Sequence, residues 1–257
     1  MEIHPTAIVN PKAEIAEDVS IGPFSVIEEN VQIGRGSKIG THVVIENGSE
    51  IGEGCTFFPF SSIGGVPQDL KFKGEDSKVR IGNGNTFREY VTVNRATLEG
   101  SGETVIGNGN FFMAYVHIAH DCRIGNHVIM ANAATLAGHI SIEDFAIIGG
   151  LVGIHQFVRI GAYAMVGGCS AIGQDIPPFM TASGIRASLF GLNSLGLKRH
   201  GFSEERIAVL KKAYKILFRL KLTLKEAVKK VRDEVESTPD VEALLLFIEN
   251  SKRGVCR

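Results

Sequence analysis

The sequence has few cysteines, and their spacing gives them no evident structural role. Its 257 residues include four cysteines, with no CxxC pair and no spacing typical of a disulfide framework or a zinc site. Because cytosolic chains keep such thiols reduced, we interpret all four as free cysteines.

The sequence also lacks a strong net charge and a long apolar run. The formal net charge is −1 at pH 7, which gives no general attraction to nucleic acid or to an anionic membrane. No segment approaches the roughly 18 apolar residues of a membrane span, and the opening MEIHPTAIVN has no signal-peptide pattern. We therefore expect a soluble, cytoplasmic protein with no nucleic-acid partner and no membrane span.

The dominant feature is an apolar residue at every sixth position. One run keeps its phase from Ile3 to Ile63, a second runs from Ile81 to Val93, and a third from Ile106 to Ile172. A period of six matches neither a helix nor a simple strand, but it suits a short strand followed by a turn. Three such units close one triangular coil of 18 residues, so the pattern predicts a hexapeptide parallel β-helix.

Two polar segments interrupt this repeat, near residues 65–79 and 94–105. The second also shifts the phase by one residue, since Val93 and Ile106 are 13 positions apart. Because loops carry function more often than the walls that support them, we expect both segments to contribute functional residues.

The pattern changes near the C-terminal end. The repeat stops at Pro177-Pro178, and apolar residues then recur at helical spacing from about Ser203, with further helices near Thr223 and after Pro239. The sequence therefore predicts a mainly β chain. It has a β-helical domain over residues 1–190 and a small α-helical domain over residues 191–257.

Stacking turns the repeat into a map of the surface. Residues 18 apart lie on neighbouring coils, roughly 4.8 Å apart. The spacing predicts one strip along an edge that holds His120, Asp121, Gly138, His139, His155 and Gln156. Cys55 and Cys122 stand two residues before inward positions, so we expect them to be buried and not to act as nucleophiles.

The strip alone allows two chemical interpretations. Imidazole titrates near neutral pH and suits acid–base catalysis. Three histidines can also bind zinc, as they do in some trimeric β-helix carbonic anhydrases. A purely structural β-helix is a third possibility.

Several segments resemble one family. They are GGVPQDLKF (64–72), HIAHDCRIGN (117–126), ATLAGHISIEDFAIIGG (134–150), IHQFVRIGAYAMVGGCS (154–170) and GLNSLGLKRHGFS (191–203). They resemble the UDP-N-acetylglucosamine O-acyltransferases of lipid A synthesis over essentially the whole chain. The resemblance implies a left-handed coil and a homotrimer with sites between subunits. It implies transfer of an (R)-3-hydroxyacyl group from acyl carrier protein to the sugar 3-hydroxyl, without a cofactor or a metal.

The resemblance also assigns roles to residues of this sequence. His120 matches the general base, Asp121 the carboxylate that orients it, and the Gly138 N–H the oxyanion donor. Gly168 matches the position that measures acyl length, where glycine implies room for a longer chain. The positions that match substrate-binding residues are Asp69, Lys71, His117, His139, His155, Gln156, Asn193 and Arg199.

Three positions depart from the family pattern. Asn94 and Arg186 stand where histidines are usual, and the second basic residue after GLK is His200 instead of arginine. Asn94 leaves open an alternative acceptor, the amine of a 3-amino or 2-amino UDP sugar. A zinc protein like the β-helix carbonic anhydrases is the alternative from another class. The basic helical segment AVLKKAYKILFRLKLTLKEAVKK (208–230) could attract an acidic carrier protein.

Overall fold

The computed structural model describes residues 2–257, so Met1, which the predicted β-helical domain includes, lies outside the described residues. Nearly every repeat unit forms a strand of two residues, because the corners on either side leave room for no more. The strands are β1 (Glu2–Ile3), β2 (Ile8–Val9), β3 (Glu14–Ile15), β4 (Ser20–Ile21), β5 (Val26–Ile27), β6 (Gln32–Ile33), β7 (Lys38–Ile39), β8 (Val44–Ile45), β9 (Ser49–Ile51), β10 (Thr56–Phe57), β11 (Ser62–Gly65), β12 (Lys78–Ile81), β13 (Thr86–Phe87), β14 (Thr92–Asn94), β15 (Glu103–Ile106), β16 (Phe111–Phe112), β17 (His117–Ile118), β18 (Arg123–Ile124), β19 (Ile129–Met130), β20 (Thr135–Leu136), β21 (Ser141–Ile142), β22 (Ile147–Ile148), β23 (Gly153–Ile154), β24 (Arg159–Ile160), β25 (Met165–Val166), β26 (Ala171–Ile172), β27 (Met180–Ser183) and β28 (Ser188–Leu192).

Successive strands go to three different sheets, and every third strand returns to the same one. We number the sheets by their first strand: sheet 1 begins at β1, sheet 2 at β2 and sheet 3 at β3. Register is kept from coil to coil, so that Ile118 of β17 lies between Val93 and Leu136 in sheet 2. The predicted mainly β fold, a left-handed parallel β-helix followed by a few helices, is confirmed.

The sixth-position residues fill the interior of the coil. Phe57, Phe87 and Phe112 are buried; Phe57 stacks on Phe87 with ring centroids 4.7 Å apart, and Phe112 packs against Phe87 at a tilt of 37° and 5.0 Å. Burial of one such side chain stabilises the fold by about 1.5–3 kcal/mol. Cys55 and Cys122 are buried as predicted, and burial raises the pKa of the Cys122 thiol to about 12.

The corners place side chains on the outside in a fixed way. Many corner residues other than glycine have a left-handed backbone; Asp121 and His139, at the corner between sheets 2 and 3, both have φ 60°. Most L-residues avoid this conformation, although aspartate and histidine tolerate it better. The same corner recurs in each coil, so equivalent side chains stand directly above one another.

The coil continues past the point where the repeat ends. The apolar repeat stops at Pro177-Pro178, whereas β27 still pairs in parallel with β25, and β28 then turns back against β27. The apolar period ends before the sheet does, because β27 belongs to a hairpin and not to a six-residue unit.

Four helices follow the last strand: α1 (Ser194–Arg199), α2 (Glu204–Arg219), α3 (Leu224–Glu234) and α4 (Pro239–Glu249). The sequence predicted α2, α3 and α4 but missed α1, whose six residues are too few to show a period. Ser203 caps α2, and a capping box of Thr223 and Glu226 begins α3. None of the helices found in residues 2–257 has the length and apolarity needed to cross a membrane. The domain division after residue 190 stays a prediction.

Candidate active site

A histidine–aspartate pair lies at the corner between sheets 2 and 3. His120 Nδ1 is 2.8 Å from Asp121 Oδ2, and the side chains are 13% and 1% exposed. An ionised carboxylate only accepts hydrogen bonds, so Nδ1 must carry the proton. The lone pair of a neutral His120 is then on Nε2, the atom available to act as a base.

Asp121 is held by the second polar segment. Its Oδ2 accepts hydrogen bonds from the Thr97 hydroxyl at 2.8 Å and the Thr97 N–H at 3.1 Å, and its Oδ1 accepts one from the Ser101 N–H at 3.1 Å. Burial alone would raise the pKa of Asp121, but the hydrogen bonds from His120, Thr97 and Ser101 outweigh it, and the pKa is lowered. The carboxylate is therefore ionised at neutral pH.

Gly138 lies one coil further along, against the His120 ring. A β-carbon built on Gly138 would be 2.6 Å from Cε1 and 2.7 Å from Nε2 of His120, so only glycine allows this approach. Across residues 2–257 the Gly138 N–H finds no acceptor within hydrogen-bonding distance, although the residue is buried. A buried, unpaired backbone donor beside a base is suited to stabilising an oxyanion.

These residues border a cleft of about 980 Å³ on the outer face of sheet 2. His117, His120, Gly138, His155 and Gln156 line its polar part. The other part is largely apolar and is lined by Ala171, Ile172, Ile176, Ile185, Ala187 and Cys256. The cleft thus offers a polar region that includes the base and a largely apolar region further along the coil.

His117 stands beside His120 and is kept neutral by its surroundings. Its Nδ1 lies 2.7 Å from the Thr92 hydroxyl. Burial, and then the charge of His120, lower the pKa of His117 below the ordinary 6.5. A histidine of this kind can donate or accept a hydrogen bond at neutral pH without adding charge.

We expect a proton NMR titration to give His117 a midpoint below 6.5. Replacing His120 by alanine should raise that midpoint, since it removes a positive charge from the neighbourhood. Folding stability should fall as pH drops below 6.5, because a folded-state pKa below the unfolded value makes the unfolded chain bind the proton first. A midpoint at or above 6.5 would contradict the prediction.

The structure does not bring every predicted residue to the cleft of one chain. His139 adjoins it, with Nε2 3.9 Å from Asp121 Oδ2. Asp69 and Lys71 lie in the first polar loop, where Lys71 pairs with Glu99 at 3.3 Å. Gly168 lies at the corner between sheets 1 and 2, at the far edge of the sheet that carries the cleft.

Asn193 and Arg199 lie on the opposite side of the triangular section. Asn193 caps α1 and donates to the carbonyl of Tyr163, a residue at the corner between sheets 3 and 1. Arg199 ends the same short helix, and the next residue, His200, packs against the Tyr163 ring. Neither Asn193 nor Arg199 lines the cleft of its own chain.

Two residues that depart from the family pattern, Asn94 and Arg186, lie in different parts of the molecule. The Asn94 amide donates to the carbonyls of Val66 and Gly65, tying the first loop to sheet 2. Arg186 lines the cleft beside its apolar part. Reasoning from the sequence also missed Gln68 and Cys256, which line the cleft, because a loop and a tail have no period that would place them.

His120, Asp121 and His139 are close enough to be considered as metal ligands, with ligand atoms within 4.8 Å of one another. The Asp121 oxygens already accept hydrogen bonds from three neighbours. Oδ2, the oxygen 3.9 Å from His139, takes two hydrogen bonds from Thr97 and one from His120, so a metal bound to it would have to displace one of them. The arrangement therefore favours proton transfer.

Comparison with known proteins gives a consistent result. A family model described as UDP-N-acetylglucosamine O-acyltransferase, domain 2, matches residues 175–256, and one for bacterial transferase hexapeptide repeats matches residues 24–59 and 103–138. An acyl-(acyl-carrier-protein)–UDP-N-acetylglucosamine O-acyltransferase from Thermodesulfovibrio yellowstonii is 65% identical over 256 residues, covering 100% of this chain and 99% of its own length. One from Trichlorobacter lovleyi is 55% identical and is covered completely in both directions.

Solved structures agree with these relatives. A UDP-N-acetylglucosamine O-acyltransferase from Moraxella catarrhalis superposes with a TM-score of 0.96 at 42% identity, covering all of both chains. The UDP-N-acetylglucosamine acyltransferase of Arabidopsis superposes with a TM-score of 0.84 at 34% identity, covering 99% of this chain and 100% of the other. This chain therefore belongs to the UDP-N-acetylglucosamine O-acyltransferase family and is an acyltransferase.

Proposed function

We propose that the chain transfers an (R)-3-hydroxyacyl group from acyl carrier protein to the 3-hydroxyl of UDP-N-acetylglucosamine, the first step of lipid A synthesis. One observation carries the proposal: a base, His120, and an unpaired backbone donor, the Gly138 N–H, meet in one cleft. The names of the full-length relatives support the choice of donor and acceptor. They favour the hydroxyl over the amine as the acceptor.

The proposed reaction is a direct attack. His120 Nε2 removes the proton from the sugar hydroxyl as its oxygen attacks the thioester carbonyl, and Asp121 stabilises the imidazolium that forms. The Gly138 N–H donates to the oxyanion of the tetrahedral intermediate. The carbon–sulfur bond then breaks, His120 returns the proton to the thiolate of the carrier protein, and the sugar ester is released. No cofactor takes part.

The two regions of the cleft suit the two substrates. The apolar part suits an acyl chain, which burial removes from water. The polar part, with His117, His155 and Gln156, offers hydrogen bonds to a sugar. His139 beside the cleft and Asp69 in the first polar loop are also proposed to bind substrate.

A complete site needs more than one copy of the chain. The resemblance assigns Asn193 and Arg199 to the same pocket as His155, but one chain holds them on opposite sides of its triangular section. Cyclic assembly would bring these surfaces together, so we propose a homotrimer with sites between subunits, located in the cytoplasm. Sedimentation equilibrium should then give three times the chain mass of 27.7 kDa; a monomer would contradict the assembly.

Surface charge and acyl-chain length determine how the nucleotide acceptor and the acyl donor are proposed to bind. Arg199 and Lys71 are exposed cations that could bind the pyrophosphate. Exposed lysines of α2 and α3, such as Lys211, Lys215 and Lys225, would attract the acidic carrier protein. Gly168 leaves room for a longer acyl chain, so a 14-carbon donor should be preferred to a 10-carbon one.

The experiment incubates the purified protein with UDP-N-acetylglucosamine and 3-hydroxyacyl carrier proteins of 10 to 14 carbons. Mass spectrometry should detect an acylated nucleotide that forms equally well with a chelator present. If product forms only with a 3-amino sugar nucleotide, the acceptor is an amine and the hydroxyl proposal is wrong. Loss of product on chelation would instead support the zinc interpretation.

A further inference from the structure

We propose that Thr97 is a positioning residue for catalysis, and that the excursion of residues 94–104 serves to fix the Asp121 carboxylate against His120. The excursion is the part of the second polar segment that leaves the coil after Val93 and rejoins it in β15. The proposal deepens the acyl transfer proposed above and rests on it, because it concerns the same base.

The excursion owes its shape to the break in the repeat. Between Val93 and Ile106 the chain leaves the coil and returns one residue out of phase. It passes over the corner that carries Asp121, where its backbone turns through hydrogen bonds from the N–H groups of Gly100 and Gly102 to the Thr97 carbonyl. A regular coil would have no residue at this point, so the Asp121 carboxylate would face solvent.

Thr97 is the residue of the excursion that contacts the carboxylate oxygen shared with His120. Its hydroxyl donates to Asp121 Oδ2 at 2.8 Å, and the same oxygen lies 2.8 Å from His120 Nδ1. The Ser101 N–H holds the other carboxylate oxygen, and the Thr104 hydroxyl accepts from the Asp121 N–H at 2.8 Å. Thr97 is 5% exposed, so no solvent molecule can readily replace its hydroxyl.

Gly100 shows how closely the excursion fits. A β-carbon built on Gly100 would lie 2.0 Å from Asp121 Oδ1. The backbone at Gly100 therefore lies so close to the carboxylate that a side chain at this position would collide with it. Both oxygens of Asp121 are fixed in place, which leaves the carboxylate one orientation toward His120.

The contact should also tune how strongly Asp121 acts on His120. A carboxylate that loses one donor has more charge available to its remaining bonds, including the one to His120, and it then stabilises the imidazolium more strongly. The other titratable groups that face the pair are His117 and His139, and Glu99 on the excursion pairs with Lys71. All four are unchanged in the variants below.

The test compares Thr97→Val, which keeps the shape but loses the hydroxyl, with Thr97→Ser, which keeps the hydroxyl. Valine should lower kcat/KM by about 10-fold, as expected for the loss of a hydrogen bond to a charged group, and should move the acid limb of the pH profile to higher pH. Thr97→Ser should keep both kcat/KM and the acid limb of the pH profile close to those of the wild type. A lower rate with an unmoved acid limb, or no rescue by serine, would overturn the proposal.

A double-mutant cycle with Asp121→Asn tests whether Thr97 acts through Asp121. Thr97→Val should have little further effect on an enzyme that already lacks the carboxylate, whereas full additivity would contradict the proposal. If the valine variant does not fold, as judged by thermal unfolding, Thr97→Ala takes its place in the cycle.

A measurement without turnover separates this proposal from the proposed function. The Nδ1 proton of His120 should be observable by NMR in the wild type and should exchange faster in Thr97→Val. If the wild type forms no acylated nucleotide, the proposed function fails while this readout still decides the role of Thr97. Equal exchange in both proteins would reject that role.

Discussion

Replacing His120 by alanine is expected to lower kcat by about 10²- to 10⁴-fold, the contribution typical of a positioned general base. The sugar hydroxyl is a poor nucleophile and needs a base. Among residues 2–257, no other side chain both forms a hydrogen bond with the Asp121 carboxylate and packs against Gly138. His139 is the nearest substitute, but its Nε2 is 3.9 Å from Asp121 Oδ2, too far for a hydrogen bond. The measurement is steady-state acylation of UDP-N-acetylglucosamine at saturating donor.

The matched control is His4→Ala, the same substitution at an exposed histidine near the N-terminal end of the coil. It should leave kcat unchanged. KM for the nucleotide should change little in His120→Ala, because a base contributes mainly in the transition state. Activity within threefold of the wild type would show that His120 is not the base and would turn attention to His117 or His139.

The fold was predictable because one physical rule is repeated along the chain. Each coil must bury an apolar side chain at the same point, so the period of six is visible without any structure, and the 18-residue spacing then places His120 beside Gly138. The structure puts these two residues in contact as the spacing requires. Their catalytic roles remain proposals that rest on the resemblance and on the geometry.

The rest of the site does not follow from a period. Thr97 reaches Asp121 only because an excursion folds back over the corner, and Cys256 reaches the cleft only because the tail returns to the last coil. Asn193 and Arg199 raise a different difficulty, because one chain holds them on the side opposite its own cleft and they are proposed to act in the cleft of another copy. Residues of this kind are located by tertiary and quaternary contacts, which sequence spacing does not encode.

Gly138→Ala is expected to be the second most damaging substitution for activity. The added β-carbon would lie 2.6 Å from His120 Cε1, far inside van der Waals contact, so the ring must move. A displacement of about 1 Å at a reacting group can cost about 10²-fold in rate. Gly138 does not have a left-handed backbone, so alanine brings no conformational strain of its own. The three nearest atoms to the new carbon all belong to the His120 ring.

Because the atoms nearest the added β-carbon belong to the His120 ring, its clash with the base can be measured separately from any effect on the coil. In the wild-type background, Gly138→Ala should lower the free energy of unfolding by about 1–3 kcal/mol, the usual cost of overpacking. In the His120→Ala background the ring is absent, so the same change should cost much less stability. The measurement is denaturant unfolding of all four proteins at one concentration, since an oligomer's stability depends on concentration. Equal costs in both backgrounds would mean that the glycine is needed for the coil itself and not for the close approach of the base to the backbone donor.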